Sequence, residues 1–265
     1  MKDVNEKKLN KEVIFNFLAK LDRFSVNLEI FNEIGSTNSY LLEKDLEENE
    51  LSICLSEKQK LGRGRNGKTW HSPENKNIYL SFSFLTDLSI NKLEGFSLFV
   101  GLHIARAIKK IYPINTFIKW PNDLFLNNKK FGGILIETKN IKEKVLVVVG
   151  VGLNVLMREN KFIDQLWTSM QIENPNLKID RNELVAAIIS EIIENLNIFE
   201  TQGFKYFKKD FESLHLLHNQ KVTVSNYPNE DCKALNINDD GSLNIKIGNK
   251  INKVSSGEVS LKIQK

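Results

Sequence analysis

The sequence predicts an α+β fold that ends in a small β-barrel, and two observations lead to this prediction. Over residues 1–218, strand-like alternation and helical periodicity are interleaved along the chain. After His218 the pattern changes to short strand-like runs separated by turn residues such as Asn-Asp-Asp-Gly at 238–241. That segment is too short for a core of its own. We therefore expect a larger domain over 1–218 and a barrel over 219–265 that docks on it.

Composition narrows the class of protein. The 265 residues are 41% hydrophobic and 26% charged, which is enough apolar material for a sizeable core. The net charge of +4 is spread along the chain and is weak evidence for nucleic-acid binding. No signal-like or membrane-length apolar run occurs, so we expect a soluble cytoplasmic protein that binds no membrane. Cys54 and Cys232 lie far apart in strand-like runs, which favours free buried thiols.

The first elements carry one candidate binding motif. A helix is predicted over 10–22, and because a helix-turn-helix needs at least two helices, no DNA-binding domain is expected. A strand over 28–33 leads to Ser36-Thr37-Asn38, which precedes a helical run over 39–46. Small hydroxyl and amide side chains at this position cap a helix or bind a ligand. The motif alone leaves both roles open.

A glycine- and arginine-rich loop follows a short apolar strand over 51–56. Its sequence, over 59–70, is Gln-Lys-Leu-Gly-Arg-Gly-Arg-Asn-Gly-Lys-Thr-Trp. Glycines allow a tight turn and close approach to a ligand, and arginines suit carboxylate or phosphate. The glycine spacing matches the dinucleotide fingerprint, but a strand follows instead of the required helix. We expect the loop to close over an anionic ligand, with a solvated basic loop as the alternative.

The remaining elements follow from periodicity and turn residues. The strand over 77–85 places Tyr79, Ser81 and Ser83 on the face opposite its large apolar residues. We further expect a helix over 91–111, a strand over 117–120, a hairpin of 124–126 with 129–137 around Asn127-Asn128, and a buried strand over 145–151. After these elements we expect a long loop over 156–177, a helix that is capped at Asp180 and runs to about 201, and a helical piece over 204–214. The predicted barrel strands are 221–224, 233–237, 242–247, 251–254 and 259–263.

Five segments, in this order, resemble those of the bacterial biotin protein ligases, and the resemblance covers about residues 30–263. The segments are Ser36-Thr37-Asn38, the loop over 59–70, Lys119-Trp120-Pro121-Asn122-Asp123 with Lys130 and Gly133, Gly150-Val151-Gly152-Leu153-Asn154-Val155, and Gly257-Glu258-Val259-Ser260-Leu261. Each segment alone is a weak signal. Five ordered segments together are a specific one.

The resemblance implies both a fold and a reaction. It implies a mixed central β-sheet of the class II synthetase-like type with helices on one side, and an SH3-like C-terminal barrel. Biotin and MgATP would give biotinyl-5′-AMP, and the biotinyl group would then pass to one lysine of the biotin carboxyl carrier domain of acetyl-CoA carboxylase. With no DNA-binding domain expected, the chain resembles the monofunctional ligases, some of which form homodimers.

The resemblance also assigns roles to individual residues. The implied biotin-binding residues are Ser36, Thr37, Asn38, Gln59, Arg63, Gly64, Arg65, Trp70, Lys130 and Gly133. The implied catalytic residues are Arg65, Lys119, Asp123 and Lys130, and the implied ATP-binding residues are Arg63, Asn122, Asn154 and Trp167. Asp123 would orient or deprotonate the incoming lysine, with a plain turn position as the alternative. Trp167 would pack on adenine, with core packing as the alternative.

Elementary chemistry agrees with these assignments. A carboxylate and the α-phosphate of a nucleotide must meet, and cations must neutralise their repulsion. His71, His215 and His218 look scattered, so no protein-bound metal is expected and Mg²⁺ would enter with ATP. Two alternatives stay open: a lipoate or octanoyl ligase, although those relatives lack the glycine- and arginine-rich loop, and a non-catalytic sensor of biotin or nucleotide.

Overall fold

The structure is a computed structural model that describes residues 7–256 and 261–263. Seven strands form the first sheet, in the spatial order β1-β2-β3-β7-β6-β5-β4. They are β1 (Ser25–Phe31), β2 (Glu50–Ser56), β3 (Ile78–Thr86), β4 (Phe117–Lys119), β5 (Asp123–Leu126), β6 (Lys129–Ile141) and β7 (Lys144–Leu153). β1 and β2 are parallel and every other neighbouring pair is antiparallel. The expected mixed central sheet is confirmed.

Helices cover both faces of this sheet. They are α1 (Lys11–Leu18), α2 (Thr37–Glu43), α3 (Phe96–Ile111), α4 (Met170–Glu173), α5 (Arg181–Gln202) and α6 (Lys208–Glu212). α1 and α3 pack on α5 over the face that carries the main core. α2 lies on the other face, where Leu41 meets Cys54, Leu146 and Val148 in a separate small cluster. The expectation of helices on one side alone is therefore wrong, because α2 covers the opposite face.

Capping explains where three of the helices begin. Asn10, Ser36 and Asp180 each adopt an extended backbone and accept hydrogen bonds from amides in the first turn of α1, α2 and α5. The hairpin between β5 and β6 turns at Asn127 and Asn128, whose φ values are 46° and 61°. Both the predicted cap at Asp180 and the predicted positive-φ turn are confirmed.

Most predicted elements are shifted at their ends by a few residues, and two of them also contain an additional short helix. The pattern over 91–111 divides into a 3₁₀ turn, Ile90–Leu93, and α3, which begins at Phe96 after Gly95 with φ of 76°. A glycine at that angle breaks the helical path that the apolar periodicity alone suggested. The predicted loop over 156–177 contains the short helix α4, which Ser169 caps.

A second, five-stranded sheet follows α6, in the order β11-β10-β9-β8-β12. Its strands are β8 (Lys221–Val224), β9 (Tyr227–Ile237), β10 (Leu243–Ile247), β11 (Lys250–Val254) and β12 (Leu261–Ile263). The small C-terminal β unit is confirmed. One continuous apolar cluster runs from Leu9 through the first sheet to Leu261, and the indole of Trp120 donates to the carbonyl of Gly241 at 2.9 Å. The two sheets are therefore packed together.

Two expectations drawn from composition can be compared with the structure. Cys54 and Cys232 are both free and buried, as expected, and burial raises the pKa of Cys54 to about 12. Across 7–256 and 261–263, every helix is too short or too polar to cross a membrane.

Candidate active site

A cavity of about 260 Å³ opens beside the glycine- and arginine-rich loop. The loop, the start of α2 and strands β5, β6 and β7 form its walls. Thirteen of the residues singled out from the sequence line it: Ser36, Thr37, Asn38, Gln59, Arg63, Gly64, Arg65, Trp70, Lys119, Asn122, Asp123, Lys130 and Gly133. The fold thus brings together residues from three sequence-distant segments.

Thr37, Asn38 and Gln59 form a neutral part of the lining. Together with Ser81, which bonds Thr37 and Asn38 but does not itself line the cavity, they make up what we call the neutral network. Gln59 Oε1 accepts from the Thr37 amide at 2.9 Å and from its hydroxyl at 3.2 Å. Ser81 Oγ lies 2.7 Å from the Thr37 hydroxyl and donates to Asn38 Oδ1 at 2.6 Å. Thr37, Asn38 and Ser81 are all at most 4% exposed. The network is held in one arrangement by its own bonds.

Ser36 contributes to the site by capping α2. Its hydroxyl accepts from the Ser39 amide at 3.4 Å and caps α2. The cap fixes the start of the helix that carries Thr37 and Asn38. Of the two roles that the motif left open, the structure therefore contains the cap, while a contact with ligand stays a prediction.

Charged groups form a second part, which we call the charged cluster: Arg63, Arg65, Asp123 and Lys130. Lys130 Nζ lies 2.7 Å from Asp123 Oδ1 and 5.5 Å from the centre of the Trp70 ring. Arg65 donates to Asn122 Oδ1 at 3.0 Å, and its second nitrogen bonds the carbonyl of Ser256 at the end of the second sheet. Burial lowers the pKa of Arg65, and the nearby Asp123 carboxylate opposes that shift. Asp123 is the first residue of β5 and does not sit in a turn.

Glu137 joins the two groups. Its Oε2 accepts from Arg63 at 2.6 Å and from Asn38 Nδ2 at 2.9 Å. The side chain of Arg63 is 40% exposed, so this ion pair is open to solvent. An anion that enters the cavity can therefore compete with Glu137 for Arg63.

Close packing under the loop depends on two glycines of β7. A side chain at Gly150 would meet the Asn38 amide at 2.2 Å, and one at Gly152 would meet the indole of Trp70 at 2.6 Å. These positions let Asn38 and Trp70 lie directly on the sheet. The Trp70 indole N–H is buried and has no hydrogen-bond partner in the described part of the chain.

The loop itself is a closed turn. The Gly64 amide donates to the Lys68 carbonyl at 2.7 Å, and the Trp70 amide donates to the Gly62 carbonyl at 2.8 Å. Asn66 and Gly67 take positive φ values of 55° and 71° at its tip. These bonds present Arg63 and Arg65 towards the cavity and its rim.

Asn154 and Trp167 are not among the residues that line the cavity. Asn154 is 3% exposed, and its side chain donates to the Thr168 carbonyl at 3.1 Å. The backbone of Trp167 pairs with that of Lys130 in a parallel bridge. In this bridge the Lys130 amide donates to the Leu166 carbonyl at 3.3 Å, and the Thr168 amide donates to the Lys130 carbonyl at 2.8 Å. Their ATP-binding roles stay predictions. Of the terminal segment 257–261, residues 257–260 lie outside the described residues, and Leu261 lines the cavity.

Sequence reasoning missed three residues that the geometry brings to the site: Ser81, Glu137 and Tyr79. Ser81 and Tyr79 lie on the face of β3 that the alternation had already separated from the apolar face. Tyr79 lines the cavity, and burial raises its pKa well above the ordinary value. A polar residue within a mostly apolar buried strand was the available signal. Glu137 had no such signal, because charged residues are common on half-buried strands.

One expectation about the histidines is wrong. His215 and His218 lie next to each other and next to Glu212, with possible ligand atoms of the three within 4.8 Å of one another. The turn after α6 brings them together, which their spacing did not reveal. His71 lies apart from them and packs on the ring of Phe162.

Comparison with known proteins agrees with the geometry. Residues 30–154 match the model of the biotin/lipoate A/B protein ligase family. The chain is 35% identical over 210 residues to the bifunctional ligase/repressor BirA of Escherichia coli, covering 78% of this chain. It is 27% identical to the biotin–[acetyl-CoA-carboxylase] ligase of Mycobacterium tuberculosis, covering 88% of each protein.

A solved structure extends the match over nearly the whole of another protein. The biotin protein ligase of Aquifex aeolicus, in complex with biotin and ATP, superposes with a TM-score of 0.77 at 31% identity, over 90% of this chain and 99% of that one. The chain spans 64% of the length of the Escherichia coli protein, which is less than two thirds. Taken with the site geometry, these matches show that the chain belongs to the biotin/lipoate A/B protein ligase family, as a homologue of its biotin protein ligases.

Proposed function

We propose that this chain is a biotin protein ligase that activates biotin with MgATP and transfers it to a lysine of an acceptor protein. One observation carries the proposal: a single cavity is lined by Thr37, Asn38 and Gln59 of the neutral network and by the charged cluster. Biotin has the same division, because its ureido ring is neutral and its valerate chain ends in a carboxylate. The Aquifex aeolicus homologue, whose structure holds biotin and ATP, supports the same assignment.

In this proposal the neutral network recognises the ring system. An uncharged urea needs donors and acceptors in fixed positions, since each is worth only about 0.5–1.5 kcal/mol. Thr37 and Asn38 are buried and are oriented by Gln59 and Ser81. Their side chains therefore need little reordering when the ligand arrives, which favours binding.

The charged cluster would carry out activation. A carboxylate oxygen of biotin attacks the α-phosphorus of ATP, and the bond from that phosphorus to the pyrophosphate leaving group breaks. Lys130 and Arg65 would stabilise the negative charge that develops on the phosphate oxygens, and Lys119 and Arg63 would reduce the repulsion between the two anions. Lys130 is held against Asp123 and over Trp70, so its position is set before reaction.

Transfer would use the same residues in the second step. The amine of the acceptor lysine attacks the activated carbonyl, and AMP leaves. Asp123 lines the cavity and is one candidate to orient or deprotonate that amine. Its carboxylate is 2.7 Å from Lys130, so a shift of that ion pair would accompany the step.

Nucleotide binding would involve the wall next to Lys130. Mg²⁺ enters with ATP as part of the substrate, and Asn122 lies on the cavity while bonded to Arg65. Asn154 and Trp167 would contact the nucleotide once the segment around 156–169 has rearranged over it. Lys130 bonds this segment through its backbone, which supports a link between nucleotide binding and Lys130.

The identity of the partners is a further part of the proposal. The acceptor would be the biotin carboxyl carrier domain of acetyl-CoA carboxylase, in the cytoplasm, and the protein would act without binding DNA. The proposal includes a homodimer, for which β1 is an edge strand of the first sheet. Sedimentation of the protein with and without ligands would decide the oligomeric state.

Biotin-dependent exchange of labelled pyrophosphate into ATP tests the first step, with lipoate and octanoate as parallel acids. We expect exchange with biotin alone. Exchange with lipoate or octanoate in its place would assign the chain to the other branch of the family. Biotin binding without exchange for any acid would favour a sensor.

A further inference from the structure

A cluster of possible metal ligands lies outside the active site, where the first sheet meets the second. Glu212 is the last residue of α6, and His215 and His218 follow in the turn that leads to β8. Glu212 Oε2 lies 3.8 Å from His215 Nδ1 and 3.3 Å from His218 Nδ1. The rings of the two histidines are 6.3 Å apart at their centres. The three side chains therefore face a common point.

His215 gives the independent sign that something binds there. Its side chain is fully buried, and both ring nitrogens lack a hydrogen-bond partner among the residues that the structure describes. Leaving a buried polar group without a partner costs stability, so such groups are normally satisfied. A ligand at the common point would satisfy the nitrogen that faces Glu212.

Glu212 has a free oxygen on the same side. Its Oε1 accepts from the backbone amide of Ile237 at 2.6 Å, which fixes the carboxylate. Its Oε2 has no hydrogen-bond partner within 7–256 and 261–263. His218 is 44% exposed and leaves a path for an ion to enter.

We propose that Glu212, His215 and His218 form a binding site for a divalent transition-metal ion of the zinc class. Two imidazoles and one carboxylate are a ligand set that zinc accepts, whereas calcium and magnesium prefer oxygen ligands throughout. Metal–ligand bonds of about 2.0–2.1 Å in a tetrahedron place ligand atoms roughly 3.3 Å apart. The observed separations need only small side-chain rotations to reach that value, and the fourth position is left to water.

The position of the site indicates a structural role. On either side of His215, Leu214 and Leu216 bond the backbone of Ile118 in β4 at 2.8 and 2.9 Å. Glu212 bonds β9 through Ile237. A metal ion would therefore fasten the end of α6 to an edge strand of the first sheet and to the second sheet, and it should raise the thermal stability of the protein.

The experiment uses the full chain after treatment with a chelator. Zn²⁺ is titrated by calorimetry, Co²⁺ is titrated by its visible absorption, and Tm is measured with and without Zn²⁺. The test variant is His218→Asn, because an exposed ligand can be removed with little risk to folding. His71→Asn is the matched control, as a histidine outside the cluster.

We expect one equivalent of Zn²⁺ to bind, a cobalt spectrum typical of four-coordinate nitrogen and oxygen ligation, and an increase in Tm. His218→Asn should weaken binding by at least about 100-fold, since loss of groups that only support a ligand already costs 10–100-fold. His71→Asn should bind as the wild type does. If His218→Asn is unstable, Glu212→Gln and the cobalt spectrum of the wild type give the same test.

Three results would overturn the proposal. The first is no saturable binding of Zn²⁺ or Co²⁺ at micromolar metal. The second is equal affinity in wild type and His218→Asn, and the third is an equal loss in His71→Asn. Any of them would mean that Glu212 and the histidines are a plain ion-pair cluster.

Discussion

The neutral network and the charged cluster meet at the same cavity but are held in different ways. Thr37, Asn38 and Ser81 are buried, and Ser81 bonds both of the other two. In the charged cluster, Arg63 is 40% exposed and pairs with Glu137, and Lys130 pairs with Asp123. The neutral network is therefore fixed by its own hydrogen bonds, whereas the charged cluster contains cations whose carboxylate partners a bound anion can replace.

This difference explains how one cavity can select its ligand and also react with it. Fixed neutral groups select a ligand by shape and hydrogen bonding at low entropic cost. Exchangeable ion pairs keep strong charges in place without leaving them unpaired. We therefore expect changes in the charged cluster to act on rate and on retention of the intermediate, and changes in the neutral network to act on biotin affinity.

The largest effect should come from Lys130→Ala. Removing a group that stabilises developing charge costs roughly 10²–10³-fold in rate. We expect adenylate formation in a single turnover to be nearly abolished, while biotin still binds. Lys129→Ala is the matched control, because its ammonium pairs with Glu173 at 3.1 Å and does not line the cavity. Near-normal adenylate formation in Lys130→Ala would make Lys130 a plain ion-pair partner of Asp123.

The next effect should come from Arg65→Gly. The change removes charge-assisted bonds of about 1.5–3 kcal/mol, which corresponds to roughly 10–150-fold faster release of biotinyl-AMP. Quenched-flow measurement of free and bound intermediate would detect it. Arg65→Lys keeps the charge and loses the planar fork, so its release rate should lie in between. Unchanged retention in Arg65→Gly would contradict the role of Arg65 in closing the loop.

A smaller effect, on the stability of the protein, should follow from Gly152→Ala. The added methyl group would meet the Trp70 indole at 2.6 Å, and overpacking of this kind costs about 1–3 kcal/mol of stability. We expect a lower Tm and a changed tryptophan fluorescence spectrum. Gly35→Ala is the control, because no described atom lies within 4 Å of a side chain placed there. Equal Tm values for the two variants would show that Trp70 moves aside freely.

The smallest effect should come from Ser81→Ala in the neutral network. Ser81 bonds both Thr37 and Asn38, and the loss of about 1–1.5 kcal/mol corresponds to roughly 5–13-fold weaker biotin binding. We expect KM for biotin to rise while kcat and KM for ATP stay constant. A fall in kcat at constant KM would break the division between the two groups.

Much of the site could be predicted from sequence because its residues lie in short motifs of unusual composition. The loop over 59–70 combines glycines and arginines that an ordinary surface turn does not need, and the segment 119–123 adds charge before a proline. The buried partners were harder to predict. Ser81 and Glu137 are polar residues inside strands that carry other polar residues, and their importance depends on strand neighbours that only the fold reveals.

The fold shows the same limit. Strand and helix periodicity located most elements of the first sheet, but it could not say which face of the sheet each helix covers. α2 is the example, because its apolar residues fit the second face, where Leu41 meets Cys54. The proximity of His215 and His218 likewise depends on the turn after α6, for which the sequence offers no periodic signal.

The continuous apolar cluster from Leu9 to Leu261 has a consequence for synthesis on the ribosome. Domains that emerge early usually fold before the rest of the chain has been translated. Here β12, near the end of the chain, contributes to the core that the first helix also joins. Folding of this core can therefore finish only after β12 has left the exit tunnel.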